Sequence, residues 1–80
     1  MVQKLLRLPA GLSHSGLSRS SLYSRIQEGL WSRPVPLGGR AVAWPESEVA
    51  ALNAARIAGK TNDEVRQIVS ELETMRKECG

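Results

Sequence analysis

The stretch Gly16-Leu17-Ser18-Arg19-Ser20-Ser21-Leu22-Tyr23-Ser24-Arg25-Ile26-Gln27-Glu28-Gly29 decides how this chain folds. Ser18 reads as a helix N-cap, because its hydroxyl can accept from the exposed amides of the turn that follows. Leu17 and Leu22 stand at the N′ and N4 positions, the spacing of a hydrophobic staple. Leu22 and Ile26, four apart, face inward, while Arg19, Ser20, Tyr23, Ser24 and Gln27 lie on other faces. Gly16 stops a preceding helix and Gly29 closes this one, each by allowing left-handed backbone. The expectation is a tight turn feeding a helix over 18–28 whose outer face is polar, small and basic.

Upstream of it, residues 3–8 read as extended or irregular, with Leu5, Leu6 and Leu8 able to pack. Pro9 suits the first turn of a helix, where its missing N–H is no loss. A first helix over 9–15 would use Ala10 and Leu12 as apolar positions. Downstream, Leu30 and Trp31 turn back onto the core. Pro34 and Pro36, two apart, put their missing N–H groups on one edge of a strand and leave Val35 and Leu37 to pair on the other. Gly38-Gly39 is a two-residue hairpin signal. Residues 40–44 form the return strand, with Val42 and Trp44 on one side and Ala41 and Ala43 on the other. A helix that can enter a groove, followed by a cationic hairpin, is the layout of a winged helix-turn-helix DNA reader.

Pro45-Glu46-Ser47-Glu48 opens a third helix, with proline in the first turn and acids near the positive end of the dipole. Its imperfect apolar stripe is Val49, Leu52, Ala55 or Arg56, and Ile57, ending near Ala58-Gly59. Thr61 and Glu64 form a capping box for a fourth helix over 61–78. Along it Val65, Ile68, Leu72, Met75 and Cys79 alternate at spacings of three and four, a seam barely two heptads long. The fold class is therefore mainly α with a small β-hairpin. It divides into a winged helix-turn-helix over 1–59 and a C-terminal helix over 60–80.

Composition narrows the function. Eighty residues allow one small core, and 24% charged with 41% hydrophobic residues is a globular balance rather than a disordered one. Tyr23, Trp31 and Trp44 are the only aromatics, so the two tryptophans must supply much of the packing volume. A single Cys79 excludes an internal disulfide and a cysteine-rich zinc site, and fits a reducing compartment. The apolar cluster Leu5, Leu6, Leu8 is broken by Arg7 and falls far short of the roughly 20 residues needed to span a bilayer. A cytoplasmic, nucleoid-associated protein with no membrane contact is expected.

Charge is unevenly placed. Residues 1–44 carry six basic groups (Lys4, Arg7, Arg19, Arg25, Arg33, Arg40) against Glu28 alone, net +5, and residues 45–80 carry five basic against seven acidic, net −2. A cationic half joined to an anionic half suits a nucleic-acid reader with a separate interaction element; an uneven solubilising surface is the plainer explanation. His14 lacks a second histidine, so it reads as a polar helix-end residue and no metal site is expected. No serine has a recognisable base or oxyanion arrangement, and Gly38-Gly39 lacks the lysine and following helix of a phosphate-cradling loop. Neither catalysis nor a cofactor is expected.

The segments Leu6-Arg7-Leu8-Pro9, Gly16-Leu17-Ser18-Arg19-Ser20-Ser21-Leu22-Tyr23, Glu28-Gly29, Arg33-Pro34-Val35, Leu37-Gly38-Gly39-Arg40-Ala41-Val42 and Trp44-Pro45-Glu46-Ser47-Glu48-Val49 resemble, in order and spacing, the AlpA family of small phage and prophage regulators. That family is a branch of the MerR-like and excisionase-like winged helix-turn-helix group. The resemblance covers about residues 5–57. It implies a DNA-binding transcriptional regulator, with some members acting in prophage excision. It further implies that the 18–28 helix reads DNA and that the hairpin around Arg40 is the wing. This chain departs from the family in carrying Pro36 where a basic residue often precedes the wing Leu-Gly, and in extending over 61–80.

Several side chains follow as candidates for contact with double-stranded DNA. Arg19 and Ser20, with the N-cap Ser18, sit in the first turn, where amides and dipole favour a phosphate. Arg19 can instead donate both hydrogen bonds to guanine O6 and N7. Ser21, Ser24 and Gln27 are readers or ordinary surface residues, and Tyr23 contacts the duplex or covers the helix flank. Arg33 at the hairpin base and Arg40 at the wing suit phosphates, Arg40 also a narrow minor groove. Lys4, Arg7 and Arg25 add to the field without touching DNA, and Arg25 can equally pair with Glu28. Trp31 and Trp44 are core rather than stacking platforms. Val65, Ile68, Leu72 and Met75 either form a homodimer or partner seam or fold back on their own core. The leading expectation is a sequence-specific regulator, alone or as an excision accessory factor, binding DNA as a dimer or side by side. The alternative is an adaptor whose C-terminal helix binds an integrase or RNA polymerase subunit.

Overall fold

The structure, a computed structural model, describes residues 4–79, with side chains to Lys77. The expected roles of Gln3 and of the Cys79 side chain therefore lie outside the described residues. In chain order the elements are β1 (Leu5–Arg7), α1 (Leu8–Ser15), α2 (Arg19–Gln27), β2 (Val35–Gly38), β3 (Ala41–Pro45), α3 (Glu46–Ile57) and α4 (Asn62–Cys79).

The expected two-strand hairpin is a three-stranded antiparallel sheet in the order β1-β3-β2. β1 was read as extended or irregular; it pairs with β3 in the register Leu6↔Trp44 and Arg7↔Ala43. Its alternation puts Leu6 in the core and leaves Leu5 and Arg7 outside. The Lys4 carbonyl also accepts the Glu46 amide at 2.8 Å, so the approach to β1 closes one orphan donor at the start of α3. β2 is an edge strand, as Pro36 within it requires, and Pro34 stands just before its first residue. Leu37 was expected to pair with β3. Instead the register jumps between Pro36 and Gly38, and Leu37 is the extra residue of a bulge, 44% exposed.

Gly16 and Gly29 mark the two ends of the turn-and-helix unit. Gly16 takes φ 71°, and its amide donates to Leu12. At Gly29, φ 78°, the amide donates to the Ile26 carbonyl while Leu30 N–H reaches back to Arg25, the paired bonds of a Schellman motif. The cap at the other end is Ser18, whose Oγ accepts the Ser21 amide at 3.2 Å. Leu22, 1% exposed, anchors α2, with Leu17 and Ile26 packed beside it.

One hydrophobic cluster holds every helix. Trp31 and Trp44 are its largest members, joined by Leu6, Leu22, Leu30, Val49, Leu52, Ala55, Val65 and Val69. Trp44 donates its Nε1–H to the Ser32 carbonyl at 2.9 Å, which satisfies the one polar group of a fully buried ring. On α1 the expected inward residues were Ala10 and Leu12, yet the closest approach is at buried Gly11. A Cβ there would stand 3.0 Å from Trp44 Cε3, so the missing side chain lets the helix lie flat on the indole.

In α3 one expectation is corrected and another gains a second role. Ile57, assigned to the apolar stripe, is 87% exposed, because the buried stripe ends two residues earlier at Ala55. Glu48, read only as a helix-dipole acid, is buried and held by Arg76 of α4 through bonds of 2.8 and 2.6 Å. α4 itself uses part of its seam inside the chain. Val65 is a core residue, so it is not available to an exposed seam; Val69, one turn on, is buried with it. Ile68 and Leu72 are half-buried against the same cluster, and Met75 is 54% exposed. A helical repeat of 3.6 rotates the seam past the core, which favours 65 and 69 over a strict three-four alternation.

Candidate nucleic-acid interface

The outward face of α2 follows from its anchor. Ser24 lies two residues from both Leu22 and Ile26, about 200° around the helix from each, and so points directly away from the core. Ser20 and Gln27 lie beside it, both toward the Tyr23 side, and all three are exposed. Their side chains make no hydrogen bond among the described residues, so their donors and acceptors are available to a base edge or a phosphate. Small side chains at 20 and 24 also let the backbone come close to a groove floor. Arg19 and half-buried Tyr23 occupy one shoulder of this face. Ser21 occupies the other, beside half-buried Arg25, whose Nε is buried.

Ser18 is placed differently from the other candidates. Its hydroxyl accepts from the Ser21 amide and donates to Ser21 Oγ at 2.9 Å. Its chemistry is already engaged in the cap, whereas the Ser21 hydroxyl keeps its own proton to donate. Arg25, which could have paired with Glu28, makes no ion pair among the described residues.

The wing differs from expectation at its tip. Gly38 pairs with Ala41, so the loop between them is Gly39-Arg40, and Arg40 sits at the apex rather than in the return strand. It is exposed. Arg7 on β1 lies on the far side of β3 from β2, and the two arginines line one hollow with Leu8, Pro9, Ala41 and Val42. Arg33 sits at the wing base with its side chain exposed and its N–H held by Glu73 of α4 at 2.9 Å.

Arg7, Arg19, Arg33 and Arg40 form no ion pair among the described residues. Elsewhere cations are matched: Lys4 with Glu46, Lys60 with Glu64, Arg66 with Asp63 and Arg76 with Glu48. The +5 half of the sequence thus presents free guanidiniums, while the second half neutralises most of its own.

Residues not anticipated from sequence hold this face in place. Asn53 Nδ2 donates to the His14 carbonyl at 2.8 Å and Arg56 Nη1 to the Ser15 carbonyl at 2.6 Å, so α3 grips the turn between α1 and α2. Inside that turn Ser15 Oγ donates to the Leu12 carbonyl and accepts the Leu17 amide. From α4, Arg66 Nε donates to the Glu28 carbonyl at 2.9 Å, the C-cap of α2. Such side chain-to-backbone links over long separations leave no periodic mark in a sequence. The one hint was Arg56, an arginine where the apolar stripe of α3 called for a hydrophobic residue.

No group of three or more histidine, cysteine or acidic side chains among the described residues is placed to hold a metal ion. No helix among them is long and apolar enough to cross a membrane.

The profile of the family described as "Prophage CP4-57 regulatory protein (AlpA)" matches residues 4–57. Over 58 residues the chain is 47% identical to "Uncharacterized protein ORF88" of Enterobacteria phage P4, covering 72% of this chain and 66% of that protein, just under two thirds of its length. No solved structure matches. The match runs from the residue before β1 to the last residue of α3, and so takes in the turn, α2 and the wing; the chain belongs to the AlpA family of prophage regulatory proteins.

Proposed function

We propose that the protein is a sequence-specific double-stranded DNA-binding regulator of phage or prophage genes. α2 enters a major groove with Ser20, Ser24 and Gln27 toward the base edges, Arg19 and Ser21 at its first turn and Tyr23 along its flank. Arg33 and Arg40 lie on the flanking backbone. The observation that carries this reading is the set of exposed arginines without ion pairs around a helix whose outward side chains are also free. An unpaired guanidinium is ready to replace the counterions of a phosphate, and their release supplies much of the binding free energy. The small size of the reading face, with serines at its centre, favours copies bound side by side, where a second site adds affinity without new contacts. Control of transcription and assistance in excision both fit such a protein.

Fluorescence anisotropy with a duplex selected from a random pool, over a salt series, tests the reading. Affinity should fall steeply with salt, and Arg19→Ala should relax sequence preference by about 1–3 kcal/mol at one base pair. Affinity that barely changes from low to moderate salt would end the proposal. The alternative, an adaptor that uses its C-terminal helix to hold an integrase or polymerase subunit, has less to stand on. Val65 and Val69 are already buried, and Met75 is the one large apolar side chain of α4 that is well exposed among the described residues.

A further inference from the structure

The hollow between Arg7 and Arg40 is not accounted for by the fold. Its volume is about 270 Å³, and its walls are Leu8, Pro9, Ala41 and Val42. Arg7 and Arg40 both border it, neither makes an ion pair among the described residues, and no acid lines it. Like charges facing one hollow repel, so the arrangement gains most from an anion between them. The apolar walls add to this, since a cleft of one charge sign with low-dielectric sides concentrates the field inside it. The sheet fixes the pair: Arg7 is held in register with Ala43 in the middle of β3, and Arg40 directly precedes Ala41, the first residue of that strand.

We infer that this hollow seats one phosphate of the DNA backbone beside the wing, gripped by Arg7 and Arg40 together. The inference rests on the DNA-binding reading and deepens it. Arg7 becomes a direct contact rather than a contributor to the general field, and β1 becomes part of the interface instead of a support for β3. Arginine suits the task, because its planar fork can give two parallel hydrogen bonds to phosphate oxygens. The wing then holds the duplex from two strands, with the sheet setting the spacing between the two cations. A phosphate held this way positions the protein without reading sequence.

The test uses the full chain and a duplex carrying the selected site, with single phosphates replaced in turn by uncharged methylphosphonate. For the unaltered protein, neutralising the seated phosphate should weaken binding roughly ten- to a hundredfold, the scale of a charge-assisted contact. In Arg7→Ala that same position should become nearly indifferent to neutralisation, and likewise in Arg40→Ala. Each variant should lower the slope of log affinity against log salt by about one and leave the ranking of sequences unchanged. Arg7→Lys keeps the charge and should restore most of the slope. The Arg7 side chain is exposed and makes no hydrogen bond among the described residues, so thermal melts should match the parent. An Arg7→Ala protein that melts normally and keeps parental affinity, slope and phosphate sensitivity would overturn the inference while leaving DNA binding intact. A parent protein without salt-dependent duplex binding would instead remove the reading beneath it.

Discussion

The two sides of this molecule treat the same residue type in opposite ways. Around α2 and the wing, Arg19, Arg33 and Arg40 point outward without carboxylate partners. Around α3 and α4, Arg66 and Arg76 are tied to carbonyls or carboxylates of the chain itself. The arginines themselves are alike; what separates them is whether the fold brings an acceptor within reach. On the back side Glu48 is buried and Glu28 offers its C-cap carbonyl, so the cations become struts. Around α2 and the wing no carboxylate pairs with them among the described residues, which leaves them free for the duplex contact proposed above.

The largest expected effect comes from erasing the back side. Ending the chain at Gly59 removes α4 and with it Val65 and Val69, two members of the shared core. It also leaves Glu48 buried without Arg76. With a core this small, the shortened chain should lose its cooperative thermal transition by circular dichroism. A truncated protein melting like the parent would show that α4 is an appendage, as the division of the sequence into 1–59 and 60–80 supposed.

Next is the Glu48–Arg76 pair. Glu48 is 5% exposed, so Arg76→Ala strands a buried carboxylate and should cost about 3 kcal/mol in chemical denaturation. Glu48→Leu with Arg76→Met should recover most of that loss, because an apolar pair of similar volume avoids the desolvation altogether. If the double variant were as unstable as the single one, the pair would be doing more than cancelling its own burial. Duplex affinity at a temperature where both variants are folded should stay near the parent value.

The same contrast explains what was legible in the sequence. Features set by neighbours in the chain were readable: the Ser18 cap, the closure at Gly29 and the Thr61–Glu64 box. Features set by distant segments were not. β1 has three residues and one inward side chain, too short for a period-2 signal, and exists because β3 offers an unpaired edge. Ile57 looked like the next apolar step of α3, but it follows Asn53 by four residues, on the polar face that holds the turn between α1 and α2, and stays exposed. Arg40 was placed one residue too far into the strand, because Gly38-Gly39 reads as the whole loop when Gly38 already pairs. For the site, residue type was visible, and which arginines stay unpaired was not.

The smallest expected effect lies at the start of α4. Thr61 N–H donates to Glu64 Oε1 at 3.0 Å, and Glu64 N–H donates to Thr61 Oγ1 at 3.2 Å. Thr61→Ala removes one half of this exchange and should cost about 1 kcal/mol. The amide of Thr61 foremost, then its hydroxyl, holds the Glu64 carboxyl below its ordinary value, against an opposing effect of desolvation and with the smallest help from Lys60. A carboxylate depressed in the folded state adds stability that is complete above its unfolded value and fades as the pH falls through the lowered folded one. Glu64→Gln should therefore melt slightly below the parent at neutral pH, and the gap should close in acid below the usual carboxylate range. A gap of the same size at every pH would mean that Glu64 caps α4 through shape alone, with no share for its charge.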